Sequence, residues 1–265
     1  MMERLTEGIK HLLIINILLF IAPKIVDFDL QNLFALHFPE SPDFGIWQYA
    51  TYMFMHSQTG IFHILFNMYA LWAFGTPLEQ MWGKKKFLFY YLSVGVGAAL
   101  IYTLVNYIQF NSFYENLIAL GITQSELSQI LEIRTQVYDG YFLELCEEIL
   151  KKNPSLTPES INPNLLVEIN RFYHTPAVGA SGAVYGILVA FGMSFPNAKL
   201  GLIFIPVPIA AKYFIPGIIL IDLFSGITGF SIFGSNIAHF AHVGGALVGF
   251  LIFNYWKKNP FKRWD

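Results

Sequence analysis

The sequence is poor in charge and in cysteine, and both shortages restrict the class of protein. Only 13% of its residues are charged, about half the share of roughly 25% that is typical of a soluble domain, and the mean hydropathy is +0.50. Most of the chain therefore has no face that suits water. The single cysteine, Cys146, excludes an internal disulfide and gives no covalent evidence for an oxidising compartment.

Further absences narrow the function. The net charge of −2 argues neither for nor against a nucleic-acid partner, but the sequence has no basic tract or zinc-finger spacing, so we expect no such partner. It also lacks the His-Glu-x-x-His motif that is typical of metalloproteases. Near the N-terminus, the apolar run from Leu12 to Ile21 is followed by Ala-Pro-Lys rather than by a small-x-small cleavage site. We interpret this run as part of an uncleaved first membrane-spanning helix.

Long apolar segments are what the sequence has in abundance. A helix needs about 20 residues to cross a bilayer. Six segments are candidates for such a crossing: 9–26, 60–81, 86–107, 180–196, 213–230 and 236–256. The apolar stretch from Leu200 to Ala211 is too short to cross, and Pro206 and Pro208 exclude a regular helix there, so we expect it at the membrane interface. The prediction is an all-α membrane protein with a bundle of six transmembrane helices.

The positions of lysine and arginine predict the orientation of this bundle. These residues accumulate on the cytoplasmic side of membranes. In a six-crossing arrangement, three groups of them fall on one side: Lys84–Lys86, Lys199 with Lys212, and the tail 257–265. Both termini are then cytoplasmic, and the loop 27–59 lies on the opposite side. We expect a multi-pass protein of the lipid bilayer, by default in a bacterial cytoplasmic (inner) membrane.

The segment 108–178 differs in composition from the rest of the chain. It holds nine acidic and four basic residues, and its apolar residues recur at helical spacing from Leu127 to Val137 and from Tyr141 to Ile149. We interpret it as an extramembrane helical insertion between helices three and four, with stripes that form a local core rather than a binding site. Four parts result: 1–107 with helices one to three, 108–178, 179–256 with helices four to six, and the tail 257–265.

A serine and a histidine stand in two of the apolar segments. Ser181 begins the fourth segment within Gly-Ala-Ser-Gly, and His242 lies about two turns into the sixth within Ala-His-Val-Gly-Gly. Polar residues inside a membrane are costly and indicate a functional site. A hydroxyl and an imidazole on separate helices are the groups that a nucleophile and its general base require. The pair predicts a serine protease that works inside the membrane.

His63 and Asn67 are spaced i, i+4 in the first turns of the second segment, so they share one helix face. Segments two, four and six all run inward in the predicted arrangement, which brings these residues to the depth of Ser181 and His242. Both side chains donate hydrogen bonds, so together with the backbone N–H of Ser181 they are candidates for an oxyanion site. The alternative is that they only hydrogen-bond to neighbouring helices.

Glycines accompany the candidate pair. Gly182 and Gly186 in the fourth segment, and Gly245 and Gly249 in the sixth, form small-xxx-small patterns that let two helices approach closely. Close approach is also what brings a hydroxyl and an imidazole within about 2.6–3.2 Å of each other. The packing and the catalytic interpretations of these glycines therefore agree.

No carboxylate is expected to complete a catalytic triad. Asp222 is the only acid well inside a predicted span, and we predict for it a structural pairing or a helix cap. Packing would then orient the imidazole of His242, with Tyr185, one turn after Ser181, as the candidate ring. His239 lies a turn nearer the outer surface, where we expect water or the insertion around it and tolerance of substitution.

Several motifs, taken in order along the chain, resemble those of the rhomboid family of intramembrane serine proteases. They are His63-Ile-Leu-Phe-Asn67, Gly75 to Glu79 with Gly83, Gly179-Ala-Ser181-Gly-Ala-Val-Tyr185, and Ala241-His242-Val-Gly-Gly245. The resemblance covers segments two to six. It implies a six-helix rhomboid core that cleaves peptide bonds in or beside transmembrane segments, so its partners would be transmembrane protein substrates. It implies no cofactor and no metal.

The resemblance also implies roles for single residues. Ser181 corresponds to the nucleophile, His242 to the general base, and His63 with Asn67 to the oxyanion side chains. Phe66 matches a position that lines the active-site cavity.

Tyr185 matches a second cavity-lining position. Two features depart from the family pattern. Trp47-Gln48 stands where many relatives have Trp-Arg in the first outer loop, and the insertion 108–178 is far longer than the family needs.

Three alternatives remain open. A catalytically inactive rhomboid-like protein would only bind transmembrane helices, but such relatives usually lack the serine or the histidine. A transporter would show inverted repeats with broken helices at the midplane, and the sequence has no such repeat. A metalloenzyme would need a cluster of ligands; the candidates are His56, His63, His239 and His242.

Overall fold

The computed structural model describes residues 5–135, 140–154, 156, 161–202, 205–230 and 238–258, and it describes no side chain from 201 to 207. Within these ranges the chain forms eleven α-helices and one two-stranded hairpin. The helices are α1 (Glu7–Ile21), α2 (Leu30–Phe34), α3 (Gln48–Thr51), α4 (Ile61–Trp82), α5 (Lys84–Ala119), α6 (Gln124–Glu132), α7 (Gly140–Leu150), α8 (Pro163–His174), α9 (Ser181–Ser194), α10 (Ala211–Thr228) and α11 (His239–Lys258). Short 3₁₀ turns cover Ala22–Lys24 and Tyr52–Phe54.

The predicted all-α membrane class is confirmed. Among the described residues, three helices, α4, α5 and α10, are long and apolar enough to cross a membrane. Helix α9 is also apolar but has only 14 residues. The predicted segments correspond to α1, α4, α5, α9, α10 and α11, and the count of six crossings remains a prediction.

The third predicted segment, 86–107, ends too early, because α5 continues to Ala119. No glycine or proline interrupts the helix after Gly97. It ends in a Schellman motif, in which the Gly121 N–H donates to the carbonyl of Ile118 and the Ile122 N–H donates to that of Leu117. Gly121 has a φ of +98°, a conformation that glycine adopts without strain. The prediction assumed one crossing length and overlooked this terminating glycine.

The prolines before α10 exclude a helix, as expected, and the backbone there forms a hairpin. Strand β1 (Lys199–Leu202) pairs antiparallel with β2 (Ile205–Ala210). The register places Lys199 opposite Ala210, with an irregularity between Leu200 and Leu202. Whether this hairpin lies at the membrane interface stays a prediction.

The chain divides into two compact units. Unit 1 comprises Met1–Leu36, Ile46–Tyr102 and Ala177–Asp265, and unit 2 comprises His37–Gly45 and Thr103–Pro176. In unit 1, helix α9 packs most extensively against α11 and also contacts α4 and α10. These are the helices that carry the candidate site residues.

A buried carboxylate joins α1 to α4 within unit 1. Glu79 accepts hydrogen bonds from the backbone N–H groups of Gly8 at 2.7 Å and Ile9 at 2.8 Å, and from the hydroxyl of Thr6 at 2.5 Å. The first N–H groups of a helix have no partner within the helix and carry the positive end of its dipole. Glu79 therefore satisfies the start of α1 from a neighbouring helix, which explains an acid in an apolar segment.

Unit 2 has an apolar core of its own. The buried members of this core are Phe38, Phe110, Leu117, Ile122, Leu127, Ile130, Phe142, Cys146, Leu150, Leu156, Ile161, Leu166 and Ile169. The predicted stripes supply Leu127, Ile130 and Cys146, but Tyr141 is 67% exposed, against expectation. Val137, also predicted for a stripe, lies outside the described residues.

Polar side chains of unit 2 satisfy helix ends. Thr123 and Glu126 form a capping box at the start of α6. Asn170 donates to the carbonyls of Ile130 and Ile133 at the end of the same helix, at 2.8 and 3.0 Å.

Burial raises the pKa of the Cys146 thiol to about 12, so this thiol stays protonated at neutral pH.

Candidate active site

Ser181 is the first residue of α9, and the backbone before it has a conformation that requires glycine. Gly179 has a φ of +128°. A β-carbon on Gly179 would lie 2.9 Å from His63 Nε2 and 3.5 Å from Ser181 Oγ. A side chain at residue 179 would therefore collide with His63, and both His63 Nε2 and Ser181 Oγ lie on the side of the turn where a β-carbon would project.

The hydroxyl of Ser181 lies against the imidazole of His242. Ser181 Oγ and His242 Nε2 are 2.8 Å apart, although 61 positions separate the residues in sequence. This distance falls in the range of about 2.6–3.2 Å that a nucleophile and its base require. The structure thus brings together the two residues that the sequence selected.

Glycine makes this approach feasible. A β-carbon on Gly245 of α11 would lie 1.9 Å from the carbonyl oxygen of Gly182 in α9, and one on Gly249 would lie 2.6 Å from the Cα of Gly186. Real β-carbons do not tolerate such distances, so any side chain at Gly245 would force α9 and α11 apart. His242, one turn before Gly245, would move away from Ser181 with its helix.

Tyr185 and Phe66 have different surroundings. The ring of Tyr185 stacks on the imidazole of His242, with centroids 4.3 Å apart and planes inclined by 13°. This is the ring contact that the sequence predicted. Phe66 is 54% exposed and its ring stacks on Phe62 at 6.2 Å, so its predicted place in a cavity wall stays a prediction.

The expectation that no carboxylate approaches His242 is wrong. Asp222 Oδ1 lies 3.3 Å from His242 Nδ1, on the opposite edge of the imidazole from Ser181. Nδ1 is buried and makes no hydrogen bond of good geometry to any described residue. The contact has the distance of an ion pair without the alignment of a hydrogen bond, and in enzymes without substrate such contacts are often long and tighten on binding.

Two further groups hold the Asp222 carboxylate in place. The hydroxyl of Tyr185 donates to Asp222 Oδ2 in a very short hydrogen bond. His239 Nδ1 lies 2.5 Å from Asp222 Oδ1. The expectation that His239 meets water or the insertion is therefore wrong, because its side chain is only 10% exposed and contacts Asp222.

A signal for this network was present in the sequence. Polar residues inside a membrane pair with one another, and Asp222 is the acid of the segment that precedes His239 and His242. Because α11 begins at His239, the two histidines lie in its first turn, and α10 presents the acid to both of them. Estimating the membrane depth of each segment separately could not reveal that Asp222 pairs with these histidines.

The hydrogen bond of His63 indicates which of its ring nitrogens carries the proton. The backbone N–H of Ser57 points to His63 Nδ1 at 3.4 Å, a long hydrogen bond. Because Nδ1 accepts there, the ring proton of neutral His63 sits on Nε2, the nitrogen near Gly179 and Ser181. The N–H of His63 therefore lies on the side of the ring that faces Gly179.

Asn67 makes a local contact. Its side-chain nitrogen donates to the main-chain carbonyl of His63 at 2.9 Å, within α4. An amide carries a second N–H, which remains for another acceptor. The observed bond stays within α4, so it supports neither the oxyanion interpretation of Asn67 nor the predicted contact with a neighbouring helix.

The four histidines that suggested a metalloenzyme form two pairs. The rings of His56 and His63 are 5.2 Å apart, and those of His239 and His242 are 6.5 Å apart. Burial, with a smaller effect of His63, lowers the pKa of His56 to about 3. In the described part of the chain, the group whose ligand atoms converge is Asp222, His239 and His242, without the other pair.

This arrangement combines the elements of nucleophilic catalysis. Ser181 Oγ can give its proton to His242 Nε2, and Asp222 faces the other imidazole nitrogen. The backbone N–H of Ser181 stands at the start of α9, where helix N–H groups lack partners within the helix and attract negative charge. A hydroxyl, a base, an acid behind the base and donors for an oxyanion therefore meet at one helix start.

A family model described as the rhomboid domain matches residues 43–123 and 160–258. The unmatched residues between these ranges belong to the insertion. All the candidate site residues named above fall inside the matched ranges.

Curated relatives show the same likeness at low identity. Presenilin-associated rhomboid-like protein, mitochondrial, from Bos taurus is 24% identical over 227 residues, covering 85% of this chain and 43% of that protein. Rhomboid protein 1, mitochondrial, from Saccharomyces cerevisiae is 24% identical over 198 residues, covering 75% of this chain and 38% of that protein. Rhomboid protease GluP from Bacillus subtilis is 42% identical over 50 residues, covering 19% of this chain and 10% of that protein.

The chain spans less than half the length of the curated relatives it matches. Two of these relatives are described as mitochondrial. The comparisons therefore give no support to the expected location in a bacterial inner membrane. The apolar helices do support an integral membrane protein.

Proposed function

Because this chain belongs to the rhomboid family, as its motifs predicted, we propose that it is an intramembrane serine endopeptidase that hydrolyses peptide bonds in or next to transmembrane segments. The observation that carries this proposal is the 2.8 Å separation of Ser181 Oγ and His242 Nε2. The two atoms come from helices that are distant in sequence, and packing of these helices alone does not require a hydroxyl to face a ring nitrogen.

In the first step Ser181 attacks the carbonyl carbon of the scissile bond. The Oγ–C bond forms while the hydroxyl proton passes to His242 Nε2, which requires that Nδ1 carry the ring proton of the neutral imidazole. The imidazolium then donates its Nε2 proton to the leaving amine as the C–N bond breaks. In the second half of the reaction, water attacks the acyl carbon while His242 Nε2 takes its proton, and the imidazolium returns that proton to Ser181 Oγ as the Oγ–C bond breaks and the new carboxyl end leaves.

Two groups orient His242 during these transfers. Tyr185 stacks on the ring and fixes its plane. Asp222 faces Nδ1 at 3.3 Å and favours the tautomer with the proton on Nδ1, since a carboxylate attracts an N–H and repels a lone pair. The carboxylate would also stabilise the imidazolium that forms, as the acid does in serine protease triads.

The negative charge on the carbonyl oxygen needs donors. We assign this role to the backbone N–H of Ser181, to His63 Nε2–H and to the second N–H of Asn67. The first two are supported by the helix start and by the position of His63 Nε2 beside Gly179. Asn67 rests on the family resemblance, since its observed hydrogen bond is to its own helix.

The length of α9 supports a site below the membrane surface. Fourteen residues extend about 21 Å at 1.5 Å per residue, less than the hydrocarbon core of roughly 30 Å. A helix this short leaves at least one end inside the core or covered by neighbouring segments. With Lys84–Lys86 and both termini on the cytoplasmic side, the Ser181 end is the one that faces outward and receives the substrate.

Cleavage of model transmembrane substrates by the purified protein tests this function. Wild type should cut at least one member of a panel of single-span substrates, and Ser181→Ala should reduce cleavage to background. Ser194→Ala, which alters the other end of the same helix, is the matched control and should keep wild-type cleavage. Substrate binding without cleavage by wild type would favour the inactive rhomboid-like alternative, and undiminished cleavage by Ser181→Ala would overturn the proposal.

A further inference from the structure

Three side chains that can bind a metal ion converge behind the candidate base. Asp222 of α10 and His239 and His242 of α11 each offer one ligand atom, and these atoms all lie within 4.8 Å of one another. The side chains are 6%, 10% and 13% exposed. They meet at the Nδ1 edge of His242, whereas its Nε2 edge faces Ser181.

One distance in this group already suits a metal. A tetrahedral zinc ion bound at about 2.0–2.1 Å by nitrogen and oxygen places its ligand atoms about 3.3 Å apart. His242 Nδ1 and Asp222 Oδ1 are 3.3 Å apart. In addition, the buried His242 Nδ1 has no hydrogen bond of good geometry within the described residues, so it presents a nitrogen that a cation would satisfy.

A second pair of ligand atoms must move apart to hold a metal. His239 Nδ1 lies 2.5 Å from Asp222 Oδ1, so a tetrahedral ion requires this pair to open by about 0.8 Å. The second carboxylate oxygen, Oδ2, accepts from the hydroxyl of Tyr185. Ligating carboxylates are commonly held by such an outer partner, and this hydrogen bond does not compete for the metal-facing oxygen.

From this geometry we infer that Asp222, His239 and His242 form an inhibitory site for a zinc-like divalent transition-metal ion. The inference rests on the proposed protease function, because the ion acts on its general base. Two imidazoles and one carboxylate suit zinc and its transition-metal neighbours, whereas calcium and magnesium prefer oxygen ligands alone. A fourth ligand would be water.

Inhibition follows from the proton on His242. In the active form Nδ1 carries the proton and Nε2 accepts from Ser181. When a metal occupies Nδ1, the proton of the neutral ring moves to Nε2, so the net count of protons on His242 is unchanged. Nε2–H can then only donate, and Ser181 loses the acceptor for its own proton. The metal therefore blocks the first step without touching the serine.

Binding can be measured without any protease activity. Purified Ser181→Ala protein should be titrated with Co²⁺, because tetrahedral cobalt sites absorb visible light, and then with Zn²⁺ as a competitor. We expect one cobalt ion per chain, displaced by zinc. Asp222→Asn and His239→Ala in the same background should weaken binding by at least about 10–100-fold, the cost typical of losing even an outer partner of a metal site.

Controls separate this site from surface binding and from unfolding. His11→Ala removes an exposed histidine that lies near the carboxylate of Glu7, and it should leave cobalt binding unchanged. His239→Gln keeps an N–H for Asp222, so it serves if His239→Ala fails to fold. Absence of a tetrahedral cobalt spectrum in Ser181→Ala, or the same spectrum in both folded His239 and Asp222 variants, would overturn the site.

A second experiment measures the effect of zinc on substrate cleavage. Zinc at concentrations that fill the site in Ser181→Ala should suppress cleavage by wild type, and a chelator should restore it. Cleavage that persists at saturating zinc would overturn the inhibitory role. If wild type cleaves nothing in the absence of metal but Ser181→Ala still binds cobalt through His239, the site is established and the proposed protease function fails instead.

Discussion

The helices inside unit 1 and those inside unit 2 pack by different means. In unit 1, helices α9 and α11 approach so closely at Gly182 and Gly245 that no side chain fits between their backbones. In unit 2 a core of large apolar side chains, with Leu127 and Ile169 fully buried, fills the space between helices. Lipid is as apolar as leucine, so helices inside a membrane gain little from burying leucine against one another and rely on close packing and polar contacts. In water, burial of apolar surface drives association.

Buried polar groups satisfy helix ends in both units, by Glu79 at the start of α1 in unit 1 and by two residues in unit 2. In unit 2, Glu126 and Asn170 satisfy backbone groups at helix ends. Unit 1 also holds a buried pair of polar side chains, Asp222 and His239, which contact each other. Asp222 also faces His242, whose other ring nitrogen contacts Ser181, so this pair belongs to the candidate site.

The largest expected effect is on the glycine contact of unit 1. Gly245→Ala places a β-carbon against the Gly182 carbonyl and should destabilise the bundle by more than the 1–3 kcal/mol of ordinary overpacking, with loss of cleavage. Gly217→Ala in α10 is the matched control, since a β-carbon there meets nothing within 4 Å. Thermal unfolding in detergent and cleavage assays measure both. Equal stability of the two variants would mean that close backbone contact does not hold unit 1 together.

The next effect concerns the polar pair. Asp222→Asn can present an N–H to His242 Nδ1 and so favour the wrong tautomer; turnover should fall by at least tenfold and by up to about 10⁴-fold, the loss seen when a triad acid becomes an amide. Glu126→Gln is the control in unit 2, where a capping box accepts either residue, and it should keep normal turnover. Full turnover in Asp222→Asn would contradict a role for Asp222 in orienting His242, and Tyr185 would then be the residue that orients the ring.

A core substitution in unit 2 should act on stability. Leu127→Ala removes a fully buried side chain and should cost about 2–5 kcal/mol in the unfolding of this unit. Leu120→Ala, at a residue that is 46% exposed, should change it by less than about 0.5 kcal/mol. Chemical denaturation followed by limited proteolysis of 108–178 reports the difference. Similar values for both variants would show that the insertion has no core of the soluble kind.

The smallest effect is chemical. Because burial raises the pKa of Cys146 to about 12, almost no thiolate is present at pH 7–8, and only the thiolate is alkylated. Native protein should therefore react slowly with iodoacetamide, and denatured protein should react at the rate of a free cysteine. Rapid alkylation of the native chain would contradict the burial of this thiol.

Much of the fold was predictable from patterns within single segments. Apolar length located the helices around Ser181, His242 and His63, and the glycine spacing anticipated the contact of α9 with α11. Composition also separated the insertion from the rest, although the extent of α5 was missed because its end depends on the single residue Gly121.

The errors in the site came from contacts between segments. Asp222 looked isolated because its partners lie in other helices, Tyr185 in α9 and His239 in α11. Which residues meet across helices depends on the rotation of each helix about its axis, which hydropathy does not give. His239 was expected near the surface for the same reason. A rule that pairs intramembrane acids with intramembrane histidines would have found both.

The most direct test of the account is covalent labelling of the serine. A fluorophosphonate probe reacts with a serine whose hydroxyl is activated by an adjacent base. The modified residue can be identified by mass spectrometry after digestion. The account predicts labelling at Ser181 alone in wild type, with the label lost in His242→Ala and kept in Ser194→Ala. Labelling of Ser181 at an unchanged rate in His242→Ala, or no labelling of Ser181 in a folded wild-type protein, would contradict it.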